Sequence, residues 1–143
     1  MAMGTVQAVN VLSLTPEGAK YNATGDTTEI WSAAVTTALA AGDTISGPAI
    51  PAGTYLVDVQ VGFTDIDSAN TATFECGYAG ALAAFIASGN TTPQTGGVAH
   101  ANVSTAMGFT AATNTTVLVT MTATAGGPSA GTVTILITYT ASP

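Results

Sequence analysis

The chain has 143 residues, 47% hydrophobic and 6% charged, with one Lys or Arg against eight Asp or Glu and a net charge of −7. Binding to nucleic acid, anionic membranes or polyphosphates draws on clustered cations, which Lys20 alone cannot supply, so these partners are excluded. The apolar residues are interrupted by threonine well short of the roughly 18 to 20 needed to span a bilayer, yet they suffice for one buried core and argue against disorder.

The chain begins MAMGTVQAV, with neither a basic region nor an apolar block of secretory length, so no signal peptide is expected and the product should stay in the cell that makes it. TVQAVNVLSL is strand-like but ambiguous in phase, since Val6 and Ala8, or Val9 and Val11, could face inward; a bulge or an extended arm would account for this. The turn formers Pro16, Gly18, Asn22, Gly25 and Asp26 predict a loop between Thr15 and Thr28. The expected organisation is therefore an N-terminal arm over residues 1–28 and a single β-sandwich domain over 29–143. In EIWSAAVTTAL, Trp31, Ala33, Val35 and Leu39 share a face, and β-branched Thr36 and Thr37 favour a strand over the helix that the alanines would allow. GDTISG reads as a short strand after a turn at Ala41 and Gly42.

GTYLVDVQVGF is the clearest strand, with Tyr55, Val57, Val59, Val61 and Phe63 predicted on the buried face. TATFECGY adds Ala72, Phe74, Cys76 and Tyr78. AGALAAFIAS could form a short helix or a strand around Phe85 to Ala87, before a polar loop from Gly89 to Gly97. Near the end, TVLVTMTA turns Val117, Val119 and Met121 inward, and GTVTILITYT does so with Val133, Ile135, Ile137 and Tyr139. The intervening AGGPSAG, with Gly126, Gly127, Pro128 and Gly131, predicts a hairpin joining these two strands as antiparallel neighbours. The count of about eight strands suits an all-β fold, an antiparallel β-sandwich or jelly roll, and no tandem repeat of solenoid length is present.

Residues able to carry chemistry are sparse. Cys76 is the sole cysteine and sits in a strand-like run, which marks a buried hydrophobe and leaves no disulfide within the chain. His100 is the sole histidine, and no GxSxG elbow accompanies it. Asp65, Asp67 and Asn70 in FTDIDSAN resemble half of a calcium loop, but the glycine and distal glutamate of an EF-hand are missing. The carboxylates available for glycoside hydrolysis are Glu17, Asp26, Glu29, Asp43, Asp58, Asp65, Asp67 and Glu75, and nothing in their spacing marks a pair. Trp31, the single tryptophan, lies on an alternating face and is expected in the core instead of a sugar platform. Asn22, Asn90, Asn102 and Asn114 each open an Asn-x-Ser/Thr triplet, to which no function is assigned. No catalytic, cofactor-binding or metal-binding residue is identified, no cofactor is expected, and the chain is expected not to be an enzyme.

Sheet proteins commonly guard their edges with lysine and keep a mixed surface charge for solubility. This sequence has almost none of either. Its edges and weakly charged surface are therefore expected to be covered by partner subunits.

The segments AAGDTISGPAIPAGTYLVDVQVGF, TATFECGYAGALAAFIAS and TNTTVLVTMTATAGGPSAGTVTILITYT carry a likeness in pattern. The block from Ala41 to the C terminus resembles the small β-rich virion proteins of tailed bacteriophages, in particular capsid decoration or cement proteins. The resemblance implies a sandwich or jelly-roll fold, homotrimer assembly and binding to the major capsid protein at threefold or quasi-threefold positions on the outer capsid, after synthesis in the host cytoplasm. It carries over no functional residue. A head-fibre or tail component, or a carbohydrate-binding host-adhesion module reading its ligand with end loops such as Gly89 to Gly97, is the alternative.

Overall fold

Period-two patterning decides which faces of this chain can meet, and the computed structural model bears that out over most of its length. It describes residues 12–13, 15–21, 26–36, 38–106 and 108–141, with side chains described only within 26–140. The described strands are β1 (Leu12–Ser13), β2 (Thr15–Tyr21), β3 (Thr27–Val35), β4 (Thr44–Ile50), β5 (Thr54–Phe63), β6 (Thr73–Tyr78), β7 (Ala81–Asn90), β8 (Gly97–His100), β9 (Thr115–Ala123) and β10 (Gly131–Ala141). A single helical turn, α1 (Thr92–Thr95), and a 3-10 turn at Ser104–Ala106 interrupt them.

The strands form two five-stranded sheets, ordered β1-β4-β9-β6-β7 and β2-β3-β10-β5-β8. From β3 onward each connection crosses to the opposite sheet, except at the β6–β7 hairpin. This interleaving is the jelly-roll arrangement, and the all-β sandwich expected from the sequence is what forms. Pairing is antiparallel throughout, apart from the short β1·β4 contact, which is parallel. Between the sheets, Ile45, Val59, Val61, Phe74, Cys76, Val117, Val119, Ile135 and Ile137 are wholly buried. Phe63 from one sheet meets Phe74 from the other, with ring centroids 5.2 Å apart.

Three expectations change, and one open alternative is resolved. The loop predicted between Thr15 and Thr28 contains strand β2, which pairs with β3 across a register shift between Pro16 and Gly18. Proline is tolerated there because β2 is an edge strand, with one side free of ladder bonds. The ambiguous run TVQAVNV lies outside the described residues.

In β5 the predicted buried face changes phase. Thr138 pairs with Asp58 but Tyr139 pairs with Leu56, so Val57 is an extra residue. The bulge turns Leu56 inward, and Tyr55 and Val57 become 37% and 51% exposed, contrary to the unbroken alternation expected.

The predicted β9–β10 hairpin does not form. β9 lies between β4 and β6, and β10 lies between β3 and β5 in the other sheet. The glycines that would permit a tight reversal serve equally well in a loop that crosses the roughly 10 Å between packed sheets.

AGALAAFIAS proves to be the long strand β7, and its pattern is irregular because β7 bulges. Cys76 pairs with Ile86 and Tyr78 with Ala81, so a longer stretch of β7 lies opposite a short step in β6. Phe85 and Ile86 are consequently both buried although adjacent. The bulge brings β7 backbone over Gly77, where a Cβ would lie 2.7 Å from the Leu82 carbonyl carbon and 2.8 Å from the Ala84 nitrogen. Neither atom can move without breaking the sheet. Gly77→Ala should therefore destabilise the fold by about 3 kcal/mol, at the upper end of overpacking costs. Chemical denaturation checks this; a loss below about 0.5 kcal/mol would mean that β7 does not close over this residue.

Candidate interaction surface

The carboxylates have one Lys or Arg to share, so they find their partners among neutral donors. Asp67 is the extreme case, with no exposed surface. Its Oδ1 accepts from the backbone N–H of Gly127 at 2.8 Å and Ala69 at 3.2 Å. Its Oδ2 accepts from the N–H of Ala72 at 2.6 Å and Thr71 at 2.7 Å, and from the Thr71 hydroxyl at 3.1 Å. Burial alone would raise the pKa of this group, but the N–H donors of Gly127, Ala72, Thr71 and Ala69 outweigh it and hold the carboxyl well below the usual carboxylate range. Asn70 supports the turn with φ 57°, a conformation that asparagine tolerates.

A ring of donors is the reverse of what a cation needs. Asp65 is likewise engaged, its Oδ1 accepting from the Asp67 N–H at 3.1 Å. The half calcium loop in FTDIDSAN is thus a loop-holding device. It fastens residues 65–72 to the β9–β10 crossing loop, where Ser68 N–H donates to the Gly127 carbonyl at 2.8 Å and Ser129 N–H to that of Ile66 at 2.9 Å.

The other candidates are similarly placed. Cys76 is fully buried and burial pushes its thiol pKa far up, so it is no nucleophile. Trp31 is half-buried against the core, its Nε1 donating to Glu29 Oε1 at 3.2 Å, while the Tyr139 hydroxyl donates to Glu29 Oε2 at 2.7 Å. Asp43 accepts from the Ala40 N–H at 2.9 Å. His100 has a side chain 62% exposed, with Nδ1 3.9 Å from Asp58 Oδ2, and Asp58 also accepts from the Gln60 amide at 2.9 Å. Among the described residues, no group of three or more His, Cys, Asp or Glu is placed to hold a metal ion. No described helix is long and apolar enough to cross a membrane.

The asparagines of the triplets turn out to organise backbone. Asn102 Oδ1 accepts from the Ala87 N–H at 2.8 Å, the Asn102 N–H donates to the Phe85 carbonyl at 2.9 Å, and the Thr105 hydroxyl donates to the Ala84 carbonyl at 2.6 Å. Together they cover the outer edge of β7. Asn90, just before α1, accepts through Oδ1 from the Thr92 N–H, and Asn114 Oδ1 accepts from the Ala52 N–H. Asn22 lies outside the described residues.

The end strand of the other sheet, β8, has no such cover from the described residues. The Ala101 N–H donates to the Val59 carbonyl at 2.9 Å, which fixes the ladder phase. By the alternation of antiparallel bonding, the backbone groups of Val98 and His100 face away from β5. Among the described residues, Val98 is the most exposed of the large hydrophobics, at 58%. It stands at the end of a row across the outer sheet face, Val98, Gly62, Thr134 and Ser32, beside a second row of His100, Gln60, Leu136 and Ile30. Among the described side chains, Asp58 and His100 supply the charge-bearing groups here. Sequence alone could not locate this surface, because its residues come from strands whose order is set by topology.

Asp67→Asn should leave donors of the turn facing an amide nitrogen and lower Tm by about 5 °C or more. The wild-type contribution follows the same group. An unfolded Asp, with pKa about 3.9, takes up a proton before the folded one does, so stability is complete above about pH 4 and falls as pH drops below it. Thermal melts from pH 6 to 2 test this: the acid decline should be shallower in Asp67→Asn, and parallel profiles would contradict the assignment.

Against this geometry, comparison with known proteins gives a consistent fold. No family model matches the sequence, and no curated protein does. Two solved structures are similar in fold. One is a chain of the capsid asymmetric unit of cyanophage Pam1, with TM-score 0.73 and 24% identity over 87% of this chain and 91% of that one. The other is a chain of the capsid of Ralstonia phage GP4, with TM-score 0.69 and 22% identity over 94% of this chain and 99% of that one.

Proposed function

We infer that this protein is a structural component of a tailed-phage virion, one that decorates and stabilises the outer capsid. It acts as a homotrimer bound to the major capsid protein at threefold or quasi-threefold positions, without catalysis. The observation that carries this reading is the jelly roll shared, over nearly the whole length of both chains, with two chains of phage capsid structures. The few charged groups among the described side chains of the outer sheet face, and a β8 edge that no described residue covers, support it, since a sheet edge without lysine favours pairing with another chain. Many weak contacts repeated by symmetry supply the avidity that a reinforcing part of a shell requires. The net charge of −7 keeps such a protein off the packaged nucleic acid.

Light scattering should give three times the 14.0 kDa chain mass. Cryo-electron microscopy of virions should place the chain on the outside of the head at threefold positions. Val98→Lys, which puts a charge on the β8 edge, should lower capsid occupancy about tenfold, equivalent to about 1.4 kcal/mol. Density on the tail would overturn decoration, and a stable monomer indifferent to capsids would overturn the assembly itself.

A further inference from the structure

At one end of the sandwich, away from the β8 edge, the loop between the 3-10 turn and β9 folds beside the β6–β7 turn and leaves a depression of about 600 Å³. We propose that this depression binds a neutral saccharide. The proposal is independent of the capsid reading.

Two aromatic rings line the depression, those of Tyr78 and Phe109, 5.2 Å apart and tilted by 40°. Both pack on the buried ring of Phe85, at 5.8 and 5.3 Å, so the aromatic surface is fixed before any ligand arrives. Around it stand Thr110, Thr113, Asn114, Thr115 and Thr116. The Asn114 Oδ1 is taken by the Ala52 N–H at 2.9 Å, which leaves the amide NH₂ as a donor. The Thr115 hydroxyl donates to the Thr113 carbonyl at 2.8 Å, which leaves its oxygen as an acceptor. The depression therefore combines an apolar ring surface with both signs of hydrogen-bonding group.

Chemistry narrows the ligand. Among the described residues, no Asp, Glu, Lys, Arg or His lines the depression. Phosphates, carboxylates and sialylated sugars find no cation there and meet a net charge of −7. A purely apolar ligand would leave the hydroxyls and the amide unpaired, at a cost for each. A pyranose meets both demands, with C–H groups for the rings and hydroxyls for the rim. The volume lies within the range usual for small-ligand sites.

Saturation-transfer NMR on the purified full chain tests this, with maltose, lactose and chitobiose as neutral probes and sialyllactose as the anionic one. At least one neutral sugar should receive saturation, and sialyllactose should receive at least about threefold less. Thr113 and Ala112 are exposed, so Thr113→Trp and, separately, Ala112→Trp should fill the depression without touching the core. Each should cut the signal about tenfold at unchanged melting temperature. Absence of transfer to all neutral probes, equal transfer to sialyllactose, or undiminished transfer in a folded Trp variant would each overturn the proposal. Capsid occupancy is expected to be the same for Thr113→Trp as for wild type, so failure here is distinguishable from failure of the decoration reading.

Discussion

The scarcity of cations governs this molecule. With one Lys or Arg in 143 residues, carboxylates cannot be neutralised in pairs, and they are satisfied instead by backbone N–H groups and neutral side chains. Asp67, Asp65 and Asp43 hold loops, and Glu29 gathers the indole and phenol of Trp31 and Tyr139. A carboxylate ringed by amides can be more firmly ionised than one in a surface ion pair, because charge-assisted bonds to fixed donors require no flexible partner to be ordered. The crossing loop between β9 and β10 depends on this device, and that loop is what sends the final strand into the opposite sheet.

Acidic groups committed to loops are unavailable for the surface. The two edges on one side of the sandwich show the consequence. The edge of β7 is covered by Asn102 and Thr105 from the segment that follows β8, so intramolecular bonds do what charged side chains do in other sheet proteins. β8 ends its sheet with Val98 exposed and neither lysine nor proline in GVAH. A lone protein would be at risk of indiscriminate edge pairing there. On the proposed reading, a subunit of a symmetric shell would use the same edge as an interface.

Much of the fold was legible in the sequence because the alternation of Val, Ile and Phe is strict where strands pair regularly. The buried faces of β9 and β10, and Phe74 and Cys76 in β6, follow from spacing alone. What escaped were the irregularities. Val57 obeys the alternation on paper and leaves the core through a bulge, while Phe85 and Ile86 violate it and are both buried. The partners of β9 and β10 were also out of reach, since Gly126 and Gly127 allow a hairpin and a crossing loop alike. Asp65, Asp67 and Asn70 were legible as an acidic turn, but the donors that define their role include Gly127, distant in sequence. The open β8 edge has no local signature, because exposure there is a property of sheet order.

Coverage of the β8 edge by another subunit has a direct physical signature at the amides of Val98 and His100, which face away from β5. Hydrogen exchange at these two amides, compared between the dissociated chain and the chain on intact capsids, reads that coverage residue by residue. Exchange should be fast in the dissociated chain and slowed about tenfold or more on the capsid, with buried β10 amides protected in both. Equal rates at Val98 and His100 in the two states would show that no partner closes the edge, and the explanation of the charge-poor surface would fail with it.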